Sequence, residues 1–198
     1  MSEGDNKVFD RFLEELEADA PGAADEVTKL VDEIPAETPS PGARDALLTA
    51  LSCSRFERFA AQVANLLDVD EEAAQRLLDG IDQSENWEEG LTEGMELYHV
   101  EGGPAVERSI TGFIRLESGG QFPPHTHLGD EAVLVIQGYY VDDVSGQEYG
   151  PGDVARLPGG SAHSFSVLAA STGLLYLAVI QEGLQIGDEV MRYDDPRM

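Results

Sequence analysis

The chain has 198 residues, room for one full domain and a smaller appendage, and a formal net charge of −27 from 39 acidic and 12 basic residues. A surplus of that size, spread along the whole length, excludes nonspecific attraction to nucleic acid or an anionic membrane surface and leaves a basic protein as an admissible partner. No apolar run approaches the roughly 20 residues that span a bilayer, the N-terminus lacks the features of a secretory signal, and the single Cys53 cannot form an internal disulfide, so a cytoplasmic location is expected.

From the N-terminus, Val8, Phe9, Phe12, Leu13 and Leu16 recur at helical spacing, as do Val27, Leu30, Val31 and Ile34. Pro35, Pro39, Ser40, Pro41 and Gly42 break the chain near 35–42. Ala46, Leu47, Ala50 and Leu51 resume the pattern, followed by Phe56, Phe59, Ala60, Val63, Leu66 and Leu67. Asp70 is placed to cap a short helix carrying Ala73, Ala74, Leu77, Leu78 and Ile81, with Gly80 near its end. Residues 1–90 are therefore predicted as a helical N-terminal region of four or five amphipathic helices. Their apolar stripes must be covered by one another, by the second half of the chain or by a second subunit.

Residues 91–198 change character. Short apolar runs at 95–100, 106–116, 132–136, 139–141, 154–157, 163–168 and 174–180 alternate with turn signals such as Gly102-Gly103-Pro104, Gly119-Gly120, Gly150-Pro151-Gly152-Asp153 and Gly159-Gly160. Many short strands at regular spacing predict a mainly β domain, an antiparallel barrel of jelly-roll type, preceded by the α-helical region. Gly138 and Gly160 fit positions where a strand bends or another backbone passes close by.

Three of the four histidines fall within residues 119–163. His125 and His127, two apart on an extended strand, project from the same face with Cα atoms roughly 6.5 Å apart. Neutral imidazoles so spaced can converge on one divalent ion. Glu131 adds a hard oxygen after a short turn, and His163 can arrive from a neighbouring strand. His125, His127, Glu131 and His163 are the candidate metal ligands, and they leave one or two coordination positions open. Ligand type alone does not choose among zinc, iron, nickel, copper and manganese.

No catalytic residue is assigned. Counting by twos places Val133 and Val135 on the face of Glu131, and Phe165 and Val167 on that of His163, an apolar lining without an added acid, lysine or serine. Arg115 and Arg156 could reach an anionic ligand, and Tyr98, Tyr140 and Tyr176 could supply a phenol. His99 could add one more polar group near the ion.

Written as spacings, residues 119–138 read G-x5-H-x-H-x3-E-x6-G and residues 152–163 read G-x5-P-x-G-x2-H. With every named position filled, they resemble the two signature blocks of the cupin superfamily, the RmlC-like jelly rolls. The second block departs only at Val167, where many cupins carry Asn at a position that is not a ligand. The resemblance covers about residues 92–185. It implies a double-stranded β-helix, a metal site made by the two blocks and often a homodimer.

A helical segment ahead of such a barrel is similar, more narrowly, to the ChrR-type anti-sigma factors. Their helical domain holds an extracytoplasmic-function sigma factor, and their cupin domain responds to oxidative stress. This implies a transcription-regulatory or stress-sensing protein, one divalent ion with zinc favoured, and a sigma factor or other regulator bound through the N-terminal helices. The first half departs from that family: no histidine precedes His99, and Cys53 stands alone, so the family's N-terminal zinc motif is not carried over. Resemblance to cupin dioxygenases implies instead iron(II) and oxidation of a small carbonyl or thiol compound; nickel and manganese stay possible at the site by ligand type.

Overall fold

The computed structural model describes residues 55–169 and 172–195, with a few positions between Gly22 and Arg44. The chain divides into two compact units, Met1–Ala50 and Leu51–Met198. The helical stretches expected before residue 52, and Cys53, lie outside the described residues apart from a few positions such as 27–29, which are helical.

In the second unit, a 3-10 turn at Glu57–Phe59 leads into α1 (Ala60–Leu67) and then α2 (Glu71–Asp79). The cap read from the sequence is formed: the Asp70 carboxylate accepts the Ala73 N–H at 2.7 Å, and Glu71 and Glu72 occupy the positive end of the helix. Gly80 follows directly as the C-cap residue.

Among the described residues twelve strands follow: β1 (Glu88–Glu89), β2 (Met95–His99), β3 (Ser109–Leu116), β4 (Gln121–His127), β5 (Glu131–Gln137), β6 (Tyr140–Asp142), β7 (Glu148–Tyr149), β8 (Val154–Leu157), β9 (Ala162–Val167), β10 (Leu174–Gln181), β11 (Leu184–Ile186) and β12 (Glu189–Met191). They form two six-stranded antiparallel sheets, in the orders β1-β2-β3-β10-β5-β8 and β12-β11-β4-β9-β6-β7. The expected run at 106–116 begins later as a strand because Pro104–Val106 closes a 3-10 turn.

Alternation along β10 accounts for the layering. Leu174, Tyr176, Ala178 and Ile180 enter a core shared with Phe122, Phe165 and Leu184 of the opposite sheet. Their neighbours Leu175, Leu177 and Val179 enter a second core with Phe59, Val63 and Leu67 before and along α1 and Leu78 of α2. Strand β5 divides in the same way, with Val133 and Val135 inside the barrel and Leu134 and Ile136 under the helices. This explains why both strands read as unbroken apolar runs: each face is covered. The second sheet has the other pattern, buried and half-exposed residues alternating along β9. The stripes of α1 and α2 are thus covered by the first sheet.

At Gly138 (φ 77°) the chain leaves β5, and an added Cβ would lie 2.0 Å from the Gly173 carbonyl oxygen. Gly138→Ala is expected to destabilise the protein by more than about 1 kcal/mol, combining left-handed strain with a backbone clash. Gly146→Ala, with positive φ (70°) but nothing within 4 Å of the added Cβ, should cost less. Thermal denaturation of the two variants side by side checks this order.

Candidate metal centre

Strand β4 contains Pro123 and Pro124, and its pairing with β9 is interrupted between Phe122 and His125. Proline has no N–H to give the ladder, so a break there follows from the sequence. Pairing resumes with His125 opposite His163, which places one histidine from each signature block on adjacent strands. Backbone bonds hold the blocks in register: His127 N–H donates to Ser161 O at 3.0 Å and Gly160 N–H donates to His127 O at 2.9 Å. The Asp130 carboxylate accepts the Gly159 N–H at 2.9 Å, which fixes the turn before Glu131.

All four candidate residues meet. One donor atom from each of His125, His127, Glu131 and His163 lies within 4.8 Å of the others, and exposure of the four residues is only 1–7%. The imidazole rings are 4.5–5.1 Å apart between centroids. Glu131 Oε2 stands 3.0 Å from His127 Nε2 and 3.8 Å from His163 Nε2.

Each ring is held by its other nitrogen. His125 Nδ1 meets Pro123 O at 2.9 Å, His127 Nδ1 meets Ser161 Oγ at 3.0 Å, and His163 Nδ1 meets Asp142 Oδ2 at 2.6 Å. The Ser161 hydroxyl gives its proton to Pro158 O at 2.6 Å, so it accepts from His127. A carbonyl, a hydroxyl oxygen and a carboxylate therefore all draw the imidazole proton to Nδ1 and leave the Nε2 lone pairs facing inward. His127 Nε2, His163 Nε2 and Glu131 Oε2 are buried without a hydrogen-bond partner. The 3.0 Å approach of His127 to Glu131 has the length of an ion pair, but with the proton on Nδ1 it sets two acceptors face to face. Such a set fits a divalent cation, which satisfies every lone pair at once.

Electrostatics agree. Burial is the main cause lowering His125 to about 4, opposed by its bond to Pro123 and aided by the neighbouring imidazoles. Burial alone would raise Asp142, but hydrogen bonds from Ser145 and His163 outweigh it and hold the carboxyl down at about 2. Tyr140 and Tyr176 are pushed up, chiefly by burial, so both phenols keep their protons.

The inner wall carries Val133, Val135, Phe165 and Val167 at the places counted from the sequence, with Phe122 edge-on to His125 at 4.7 Å. Tyr140 and Tyr176 pack on Phe165. Other candidates are engaged elsewhere. Arg115 pairs with Glu96 at 2.7 Å and stacks on Trp87, Tyr98 packs between Trp87 and Phe113, and His99 faces Glu88 at 3.0 Å. Arg156 is exposed on the edge strand β8. Asp142 and Ser161, which hold two of the imidazole rings, are not picked out by the sequence. The signal for Asp142 is the turn pattern Asp142-Asp143-Val144-Ser145-Gly146, and for Ser161 its place two residues before His163.

A two-sheet jelly roll holding three histidines and a glutamate between its layers is a cupin. The model of the ChrR cupin-like domain matches residues 82–181. The chain belongs to that family. Among curated proteins, none matches the sequence. Similar solved structures include Rhodobacter sphaeroides SigE in complex with the anti-sigma ChrR, at 20% identity and TM-score 0.49 over 91% of this chain and 90% of that one. The acetylacetone dioxygenase of Acinetobacter johnsonii matches at 13% identity and TM-score 0.50, over 58% of this chain and 85% of its own. A cupin-like protein of unknown function from Ralstonia eutropha matches at 18% identity and TM-score 0.43 over 50% of this chain, which spans 63% of it. Among the described residues no helix is long and apolar enough to cross a membrane.

Because His125 is held neutral when folded but takes a proton near pH 6.5 when unfolded, the unfolded state binds more protons between those values. Stability of the metal-free protein should fall as pH drops from about 6.5 towards 4, by at most about 3 kcal/mol from this residue. Urea denaturation in chelator at pH 7.5 and 5, for wild type and His125→Gln, should give the variant the shallower dependence.

Proposed function

We propose that this protein is a metal-binding regulatory cupin, in which His125, His127, Glu131 and His163 hold one divalent ion and the helices ahead of the barrel engage a protein partner of the sigma-factor class. Membership of the ChrR cupin-like family supports this, and ChrR is an anti-sigma protein solved with SigE. The observation that carries it is a buried four-donor centre, suited to an ion, in a barrel whose inner wall carries the apolar side chains of Val133, Val135, Phe165 and Val167. A bound ion would supply Lewis acidity and open coordination positions for a small oxidant or ligand. The residues themselves orient the donors and exclude water. Three nitrogens and one carboxylate suit zinc, and we place zinc first, with iron(II), nickel and manganese as alternatives. A cytoplasmic homodimer, with residues 1–90 as the partner-binding region and 91–198 as the metal-binding barrel, completes the proposal.

One observation favours a second function, a cupin dioxygenase. The acetylacetone dioxygenase of Acinetobacter johnsonii shares the fold at TM-score 0.50, and the same four donors would suit iron(II) and a small carbonyl or thiol compound.

Elemental analysis of protein purified without chelator or metal-affinity resin should find about one ion per chain. His125→Ala or His127→Ala should weaken binding by orders of magnitude and leave the barrel folded by circular dichroism; unchanged metal content would remove the ligand assignment. Affinity capture from native extract should recover a sigma factor in stoichiometric amount. If no partner is captured and the iron-loaded protein consumes oxygen with diketones or thiol acids, the dioxygenase function takes its place.

A further inference from the structure

Asp142 divides its carboxylate between two tasks. Oδ1 accepts from Val144 N–H at 3.2 Å, Ser145 N–H at 2.6 Å and the Ser145 hydroxyl at 2.7 Å, which together fold the turn between β6 and β7. Oδ2 accepts from His163 Nδ1 at 2.6 Å. The turn is also tied to β9, with Asp143 N–H donating to Ser164 O at 3.0 Å, and to itself through Gly146 N–H and Asp142 O at 2.8 Å. At its tip Val144 is 72% exposed. One buried carboxylate thus stands between an inward-facing imidazole and a surface turn.

We infer that Asp142 is a positioning residue that couples occupancy of the metal centre to the order of the 143–147 turn. The inference rests on the metal-binding function proposed above. His163 can offer Nε2 only while Nδ1 keeps its proton, and the Oδ2 lone pair is what holds the proton there. Drawing Nε2 onto a cation makes the Nδ1–H more acidic and its bond to Oδ2 stronger. The same carboxylate is then fixed more firmly against Val144 and Ser145, so the turn closes. In the reverse direction, opening the turn frees Asp142 to rotate and releases the ring.

Asp142→Asn separates the two tasks. The amide oxygen can keep the bonds from Val144 and Ser145, while the NH2 group replaces Oδ2 against His163. Two donors then face each other, the imidazole shifts its proton to Nε2, and the lone pair leaves the centre. Asp143→Asn is the control: it removes the same charge one residue away, where the carboxylate meets Ser164 Oγ at 2.8 Å and Ser166 Oγ at 3.0 Å.

The test uses full-length, metal-free wild type, Asp142→Asn and Asp143→Asn. Cobalt(II) is followed by visible absorption, zinc affinity by competition with a chelating dye, and amide exchange at 143–147 with and without metal. Asp142→Asn should bind zinc roughly 10–100-fold more weakly with an altered cobalt spectrum, and Asp143→Asn, which leaves the bond to His163 in place, should keep the wild-type cobalt spectrum and lose much less affinity. Metal should slow exchange of the turn in wild type and not in Asp142→Asn. Equal affinity and an unchanged spectrum in Asp142→Asn would overturn the positioning role. Exchange at 143–147 indifferent to metal in wild type would overturn the coupling, and this measurement needs no variant to fold. Wild type that binds neither cobalt nor zinc would instead defeat the metal-binding function itself, and the inference with it.

Discussion

The pairing of β4 with β9 is the constraint on which the rest depends. It sets His125 directly opposite His163 and joins two sequence blocks whose functional residues stand more than thirty positions apart. No side-chain preference could assemble the four donors without it. A slip of one residue would turn His125 and His127 outward and bring Pro124 and Thr126 in. The register is accordingly held at several places: by the backbone bonds of His127 with Ser161 and Gly160, and by Asp130 on Gly159. The turns around the site are part of its scaffold.

Burial converts that arrangement into chemistry. In water an imidazole beside a carboxylate would take a proton and form an ordinary ion pair. Here desolvation holds His125 neutral, and three separate acceptors keep the ring protons at Nδ1. What remains in the middle is a cluster of lone pairs with a carboxylate among them, costly to bury and without internal compensation. Such a cluster is chemically suited to receive a divalent cation. The break at Pro123 and Pro124 contributes directly, since the Pro123 carbonyl beside the interrupted ladder is the acceptor that orients His125.

Much of this is legible in the sequence, for physical reasons. Two histidines two apart on a strand must share a face, and the spacing to Glu131 leaves only a tight turn between them, so the four residues can be named before their geometry is known. The apolar runs at 132–136 and 174–180 mark real strands, and the Asp70 cap is readable because capping is a local interaction. What escapes are elements without a local signature. The first part of β4 is hidden by its prolines, β11 and β12 are three residues each, and β1 and β7 only two. The partners of the ring nitrogens are also hidden, because Asp142 and Ser161 acquire their roles only through contacts with residues 21 and 34 positions away. Arg115 and His99 err the other way: polar residues in promising strands prove to be paired with Glu96 and Glu88.

Strand β10 has a mechanical consequence. It is a partition one residue thick: Tyr176 and Ala178 border the interior that contains the four candidate donors, while Leu175, Leu177 and Val179 border the helices. Peptide-bonded neighbours cannot move independently, so neither compartment can swell, shrink or repack without displacing the wall of the other. The chamber and the helical layer therefore share one boundary, the two faces of a single strand.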